Sequence, residues 1–326
     1  MKAAVRDRYG SVDVVEVREV DRLRPNDDQV LVRVRAASVN RADLDALGPK
    51  PAFARLFMGL RGPRAPGLGL DVAGEIEAVG PNVTRFKAGD RVFADLFLYR
   101  NGAFAEYVCA REKAFLPIPV GMTFEEAATL PHSAVLAVQG LRLRYGRTIK
   151  AGDRVLIDGA SGNVGPFAVQ IAKAKGAEVT GVARTEKLDF VRSLGADHVI
   201  DYTTTDYTKM GEHYDWILDT DSHHSVLAIR RALSPGGVYV TLGGTARTIF
   251  AAVLLGLVVS RVTDKHMGLL IWWKPFNPQD VATVTQLMAA GAVRPAIDRR
   301  FPLTEVVDAL RWVDDGRARG KVIVLP

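Results

Sequence analysis

The chain has 326 residues, 48% hydrophobic and 25% charged, which is the profile of a globular protein long enough for two packed domains. Its 43 Lys and Arg are interleaved with 37 Asp and Glu, leaving a net charge of +6; with no long basic run or known module, nucleic acid is not the expected partner. A single cysteine, Cys109, excludes intrachain disulfides and cysteine-rich zinc sites and fits a reducing, cytoplasmic setting, as does a start without an apolar signal core.

Residues 1–122 read as short strands and turns. "QVLVRVRAASV" (29–39) alternates apolar and polar residues, as a half-buried strand does. "GLGLDVAGEIEAVG" (67–80) is rich in glycine, yet Val72 stands where a dinucleotide fingerprint starting at Gly67 needs its third glycine. Its Gly69 and Gly74 are read as a turn and a strand glycine of a β-rich lobe.

From residue 123 the rhythm changes. "TFEEAATLPHSAVLAVQGL" reads as a helix, and short apolar strands then alternate with helices through residue 273. That alternation predicts a doubly wound parallel sheet, with "MGLLIWW" a candidate sixth strand. "IFAAVLLGLVV" (249–259) is too short to span a membrane. It reads as a core helix, a lipid-facing or substrate-entry patch being the alternative. Residues 274–326 supply two amphipathic helices and a closing strand, "GKVIVLP", that returns to the first lobe. The bounds are therefore 1–122, 123–273 and 274–326, the nucleotide domain being inserted into a split, mostly β catalytic domain.

The phosphate fingerprint is "RVLIDGASGNVGPFAVQIAKAKGA". A buried strand runs into Gly159, Ala160, Ser161, Gly162, Asn163, Val164 and Gly165, and a helix follows. Small residues let the backbone approach a pyrophosphate held by helix N-terminal amides. A nucleophile elbow at Ser161 would need glycine at position 163, where the chain has Asn163. At the end of the next strand, Arg184, Thr185 and Lys187 stand where an NAD site places an acid, which favours the 2′-phosphate of NADPH. The other reading of Arg184 and Lys187 is a pair of solvated helix-start residues.

With these features in sequence, the chain resembles the medium-chain dehydrogenase/reductase superfamily, and within it the zinc-independent quinone oxidoreductase and enoyl-reductase-like branch. The motifs that carry this are "ASVNRADLDALG", "GLDVAGEIEAVGPNVTRFKAGDRVFA", "GAFAEYV", the phosphate stretch, "SLGADHVIDY" and "RARGKVIV". The resemblance implies a GroES-like catalytic domain around the Rossmann domain, and a homodimer through the nucleotide domain. It also implies that Tyr202 lies near the ribose phosphate, that Leu242, Gly243 and Gly244 lie beside the nicotinamide, and that Lys321 approaches the cofactor. In zinc-dependent relatives three side chains ligate a metal. Here the corresponding positions hold Asn40, then Leu70 and Asp71, with His132 the remaining candidate, so no zinc is expected.

Without a Lewis acid, reducing a quinone or an activated C=C bond is easier than oxidising an alcohol, because the acceptor's own carbonyl spreads the incoming charge. A small hydrophobic carbonyl-containing substrate is the expected partner. Asn40 is the first candidate pocket residue, as a hydrogen-bond donor, or else a turn-stabilising residue. His132 is a candidate proton donor, or a satisfied structural histidine. Asp43 either orients neighbours or belongs to a first helical turn. Trp272, Trp273 and Phe276 read as packing, an interface or an aromatic pocket wall. Arg142, Arg144, Arg147 and Lys150 read as a helix C-terminus or a charged patch. An alcohol dehydrogenase or biosynthetic reductase on the same scaffold is the alternative, and an NADPH-binding crystallin-like or RNA-binding protein the alternative of another class.

Overall fold

In the computed structural model, residues 1–48, 59, 62–99, 101–143, 146–270 and 273–326 are described; Arg144, Trp272 and most of 49–61 lie outside them. The chain divides into two compact units. The first comprises Met1–Ser133, Pro275–Val281 and Ile297–Pro326; the second comprises Ala134–Lys274 and Ala282–Ala296.

The first unit is built on strands β1 (Lys2–Val5), β2 (Glu16–Glu19), β3 (Gln29–Val39), β4 (Asp71–Val79), β5 (Arg91–Asp95), β6 (Tyr107–Arg111) and β7 (Leu116–Pro117). β1 and β2 pair as a two-stranded sheet, and β3, β4, β5 and β7 run side by side in a seven-stranded one, with β6 also on β3. Along β3 the exposed Arg33 and Arg35 alternate with buried Val32, Val34 and Ala36. From Ala36 to Val39 both faces are buried, and the alternation read from the sequence ends there. Leu68, Leu70, Ile76, Phe93, Phe104 and Phe115 fill the core of this unit. Helix α1 (Arg41–Leu47) follows β3 directly.

The helix expected across 123–141 is two helices, α2 (Phe124–Thr129) and α3 (Ser133–Gly140). Pro131 lies between them, lacking an N–H and crowding the preceding turn. α2 opens on a capping box, with Thr123 and Glu126 exchanging hydrogen bonds. It packs on β3 and β4, so residues up to Ser133 belong with the β lobe and the boundary falls after the expected 122.

The second unit holds β8 (Arg154–Asp158), β9 (Glu178–Ala183), β10 (His198–Asp201), β11 (Tyr214–Asp219), β12 (Leu233–Thr241) and β13 (His266–Leu269). They form one parallel sheet in the order β10-β9-β8-β11-β12-β13. The sixth strand foreseen in "MGLLIWW" is β13. Helices α4 (Gly165–Ala174), α5 (Leu188–Ser193), α6 (Val226–Ala232) and α7 (Ala246–Val262) connect the strands. Short parallel strands need such crossovers, so the βα rhythm seen in the sequence is this topology. Trp216 is buried and donates its indole N–H to the Gly140 carbonyl at 2.9 Å.

Helix α8 (Pro278–Ala289) leads back to β14 (Ile297–Pro302), α9 (Val306–Asp314) and β15 (Lys321–Leu325). β15 pairs antiparallel with β3 and parallel with β14, completing the first sheet. Among the described residues no helix is long and apolar enough to cross a membrane. The stretch 249–259, read as core, is mostly not buried: in α7 only Ala252, Gly256 and Val259 are, Ile249 and Val253 are half-buried, and Phe250, Leu254, Leu255, Leu257 and Val258 are exposed.

Candidate active site

Two groups of sequence-singled residues are assembled, one in each unit. In the second unit β8 ends at Asp158 and the chain turns sharply. Gly159 has φ +81°, and a Cβ on it would lie 2.1 Å from Thr220 Oγ1. A Cβ on Gly165 would lie 2.3 Å from the Gly159 carbonyl oxygen and 2.5 Å from the Ala160 carbonyl carbon, so the first turn of α4 packs directly on the turn that precedes it. Val164 at the N-cap gives α4 no side-chain hydrogen bond, and Pro166 sits in the first turn. The Phe167 and Ala168 amides donate to the Val164 carbonyl at 3.1 Å and Pro166 has no N–H; no side chain caps this helix N-terminus, the end that favours an anion such as a pyrophosphate.

The segment Leu242–Gly244 comes to the same place. The Leu242 amide donates to the Asp219 carbonyl at 2.9 Å, and the Ser222 amide donates to the Gly243 carbonyl at 3.1 Å. Thr220 borders both Gly159 and Gly243. Beneath the turn, Asp158 is half-buried, and its desolvation together with Asp219 and Asp221 holds its carboxyl well above the ordinary carboxylate range.

At the ends of β9 and β10, Arg184 Nε donates to the Tyr202 hydroxyl at 3.2 Å, and both side chains are exposed. Thr185 Oγ1 donates to Asp201 Oδ2 at 2.5 Å. Lys187 differs from its neighbours: it is buried, not the solvated cation of the alternative reading. Asp201 is an acid the sequence reading missed. It comes from the next strand rather than from the end of β9, and its carboxyl is held low by Thr185 and Thr203. A nicotinamide dinucleotide fits this set of glycines, an uncapped helix N-terminus and an exposed Arg–Tyr pair.

In the first unit a buried polar cluster surrounds Lys321. Its side chain is 1% exposed, and Nζ donates to Asn40 Oδ1 at 2.6 Å, Ser133 Oγ at 3.0 Å and Asp71 Oδ2 at 3.3 Å. Asn40 Nδ2 donates to Asp71 Oδ2 at 2.9 Å and to the Ser38 carbonyl at 3.4 Å. Ser133 Oγ donates to Asn40 Oδ1 at 3.0 Å, and Ser38 Oγ to Asp71 Oδ2 at 2.9 Å. The break at Pro131 frees the His132 amide to donate to Asp71 Oδ1 at 3.0 Å. Burial pushes Asp71 above the ordinary carboxylate range and Lys321 below that of a free ammonium, while each charge favours the other.

His132 Nδ1 lies 2.9 Å from Asp95 Oδ2. Burial disfavours its cation, but the hydrogen bond and charge of Asp95 outweigh this and raise its pKa above the ordinary value. Asp43 accepts from the Asn40 amide at 2.8 Å and caps α1. Its burial pushes the carboxyl up to about 7.

The Asn40 carboxamide is engaged by Asp71, Ser38, Ser133 and Lys321, and the Lys321 ammonium is engaged in the same cluster. Sequence spacing carried no signal for either contact, since Lys321 and Asp71 are 250 residues apart.

The parallel sheet with its phosphate turn, joined to a GroES-like lobe, defines a dinucleotide-dependent dehydrogenase or reductase. The chain matches the alcohol dehydrogenase GroES-like domain family over residues 26–120 and the zinc-binding dehydrogenase family over residues 194–324. It is 34% identical to the mitochondrial NAD(P)H oxidoreductase RTN4IP1 of Mus musculus, over 99% of this chain and 89% of that one. It is 31% identical to 2-methylene-furan-3-one reductase of Solanum lycopersicum, covering 100% of this chain and 79% of that one. The quinone oxidoreductase structure from Coxiella burnetii superposes with a TM-score of 0.86 at 28% identity, covering 100% and 99% of the two chains. The chain therefore belongs to the medium-chain dehydrogenase/reductase superfamily, in its zinc-independent, quinone oxidoreductase-like branch, and is an oxidoreductase that uses a nicotinamide cofactor.

The words "zinc-binding" in one family description do not fit this donor set. Leu70 is apolar and buried, the Asn40 oxygen is taken by Lys321 and Ser133, and an ammonium lies among the positions that resemblance assigns to metal ligands.

Proposed function

We propose that the protein is an NADPH-dependent, zinc-independent reductase that transfers hydride to a quinone or to the activated C=C bond of an enone or enal. The observation that carries this reading is the Lys321 ammonium bonded to Asn40, Ser133 and Asp71. A fixed internal cation holds this cluster together without a Lewis acid, which suits an acceptor that delocalises its own charge better than an alcohol that must be polarised.

Bound NADPH supplies the hydride. The turn from Gly159 to Gly165 takes the pyrophosphate on backbone amides, and Leu242, Gly243 and Gly244 form the wall for the nicotinamide. Arg184, with Thr185 and Tyr202 beside it, takes the 2′-phosphate; Lys187 supports that strand end from its buried position. Asn40 and Lys321 are positioning residues that hold Asp71 and Ser133. His132, anchored to Asp95 through Nδ1, exchanges a proton at Nε2. The acceptor is a small hydrophobic carbonyl compound. Two copies pair along β13, an outer strand of the parallel sheet.

NADPH deuterated at C4, supplied with a panel of quinones and enones, tests the reaction. Acceptor-dependent NADPH oxidation, with deuterium on the β-carbon of any reduced enone, is expected. Cofactor binding without any acceptor reduced would overturn it. For cofactor choice, Arg184→Asp should weaken NADPH binding by about tenfold or more, the worth of a charge-assisted hydrogen bond, and NADH binding little. Equal weakening of the two would remove the 2′-phosphate role.

A further inference from the structure

Arg6 is, like Lys321, a buried cation of the first unit, but two of its three nitrogens, Nε and Nη1, meet no acceptor. It follows β1 directly and is 3% exposed. Its backbone is fixed, the amide donating to the Pro66 carbonyl at 3.0 Å beside the bridge between Val5 and Gly67. The carboxylate next to it in sequence, Asp7, is exposed and pairs with Arg18 at 2.7 Å. Burial disfavours the Arg6 charge, while Tyr9 and Asp43 favour it. A guanidinium does not shed its proton to escape burial, so the charge stays, and an unmet one costs several kcal/mol.

The carboxyl group that acts on Arg6 belongs to α1. The segment after Arg6 runs beside that helix, the Gly10 amide donating to the Leu47 carbonyl at 2.9 Å. Asp43 is 1% exposed; its Oδ2 accepts from the Asn40 amide at 2.8 Å, and its Oδ1 has no partner. Orphan donors and an orphan carboxyl oxygen are thus buried in one neighbourhood without bonding to each other. Buried polar groups are nearly always satisfied, so this pair is suited to a ligand that meets both. The neighbouring charges are already matched, Lys321 with Asp71 and His132 with Asp95.

We propose that Arg6 and Asp43 bind the carboxyl group of a small organic acid, Arg6 donating N–H bonds to it and Asp43 Oδ1 sharing one proton with it. The charges then balance, because the guanidinium carries one positive charge and two carboxyl groups with a single proton between them carry one negative charge. Burial already pushes the Asp43 carboxyl up to about 7, so the fold holds that proton ready near neutral pH. A halide is a poorer occupant, since planar guanidinium donors match the planar oxygens of a carboxylate better than a sphere. A neutral ligand would leave the Arg6 charge unmet.

Sodium formate, compared with sodium chloride at equal ionic strength and about pH 6, tests this on the full chain. Calorimetric titration should show saturable formate binding. At about ten times its Kd, formate should raise the Tm by about 2 °C or more over chloride. Arg6→Met should bind formate at least about tenfold more weakly and lose the formate-specific rise in Tm. Should that variant fail to fold, Arg6→Lys keeps the charge, loses the planar donors and should also bind more weakly than the wild type. Asp43→Asn, whose amide still donates to the ligand, should bind formate as the wild type does. Binding that persists with butyrate assigns the niche to the head of a longer acid, and binding confined to formate assigns it to a free small one. No saturable binding, an equal effect of chloride, wild-type binding by the Arg6 variants, or loss of binding in Asp43→Asn overturns the proposal. No cofactor or acceptor is present, so these readings stand apart from turnover.

Discussion

Lys321 carries its charge into a site where its side chain is 1% exposed, and burying an unpaired ion costs several kcal/mol. Its charge is tolerable because Asp71 lies 3.3 Å away and two further oxygens accept its remaining protons. Lys321→Met should therefore destabilise the protein by about 3–5 kcal/mol in urea unfolding, because it strands the Asp71 carboxylate. Replacing both charges, Lys321→Met with Asp71→Asn, should recover much of that loss, because the Asn oxygen still accepts from the cluster and no charge is left buried. A single-variant loss below about 1 kcal/mol would mean the pair is not structurally important.

Asp43 sets a pH dependence. Its carboxyl is pushed up to about 7 in the fold, against an ordinary value of 3.8. The native state thus holds a proton that the unfolded chain has released between those limits, and stability falls as pH rises through that window. His132 acts in the same direction, since its raised pKa stabilises the fold at low pH and the contribution is lost as pH rises through it. Asp43→Asn should shrink the difference in Tm between about pH 5 and about pH 8, and an unchanged difference would contradict the burial argument.

Asn40, Asp43, Asp71, His132 and Lys321 were each singled out in the sequence. That they share a single cluster was not legible, because Ser133 and Asp95 join them from α3 and β5 with no common spacing.

At the scale of elements, the glycine turn from β8 to α4 was the most legible feature, since strand, glycines and helix are consecutive in the chain. Its tightness is now specific: Gly165→Ala would place a methyl 2.3 Å from the Gly159 carbonyl oxygen, a backbone atom that cannot step aside. That variant should lose cofactor binding and about 1–3 kcal/mol of stability, read by NADPH fluorescence titration and urea unfolding. Normal binding would show that the turn can open.

The helix across 123–141 was misread because its apolar pattern continues through Pro131, while the missing N–H of that residue ends α2 and aims the His132 amide at Asp71. The stretch 249–259 was misread for a different reason. Apolar composition predicts burial only when another element is there to cover it, and α7 finds one on its Ala252, Gly256 and Val259 side alone.

For the whole molecule, the split arrangement was legible from the change of rhythm near residue 123 and the returning strand "GKVIVLP". The boundary is later than the rhythm suggested, because α2 is helical in form but belongs by packing to the β lobe. The same returning strand brings Lys321 next to β3, so domain insertion and the internal cation have one cause: β15 closes the first sheet only after the second unit has been completed.

The proposed reduction runs on a site in which Lys321, rather than a metal ion, lies among Asn40, Ser133 and Asp71. The most direct measurement is the initial rate of acceptor-dependent NADPH oxidation by protein dialysed against a strong chelator, before and after addition of zinc. A saturable rate that neither treatment changes is expected. A rate that disappears on chelation and returns with zinc would contradict it.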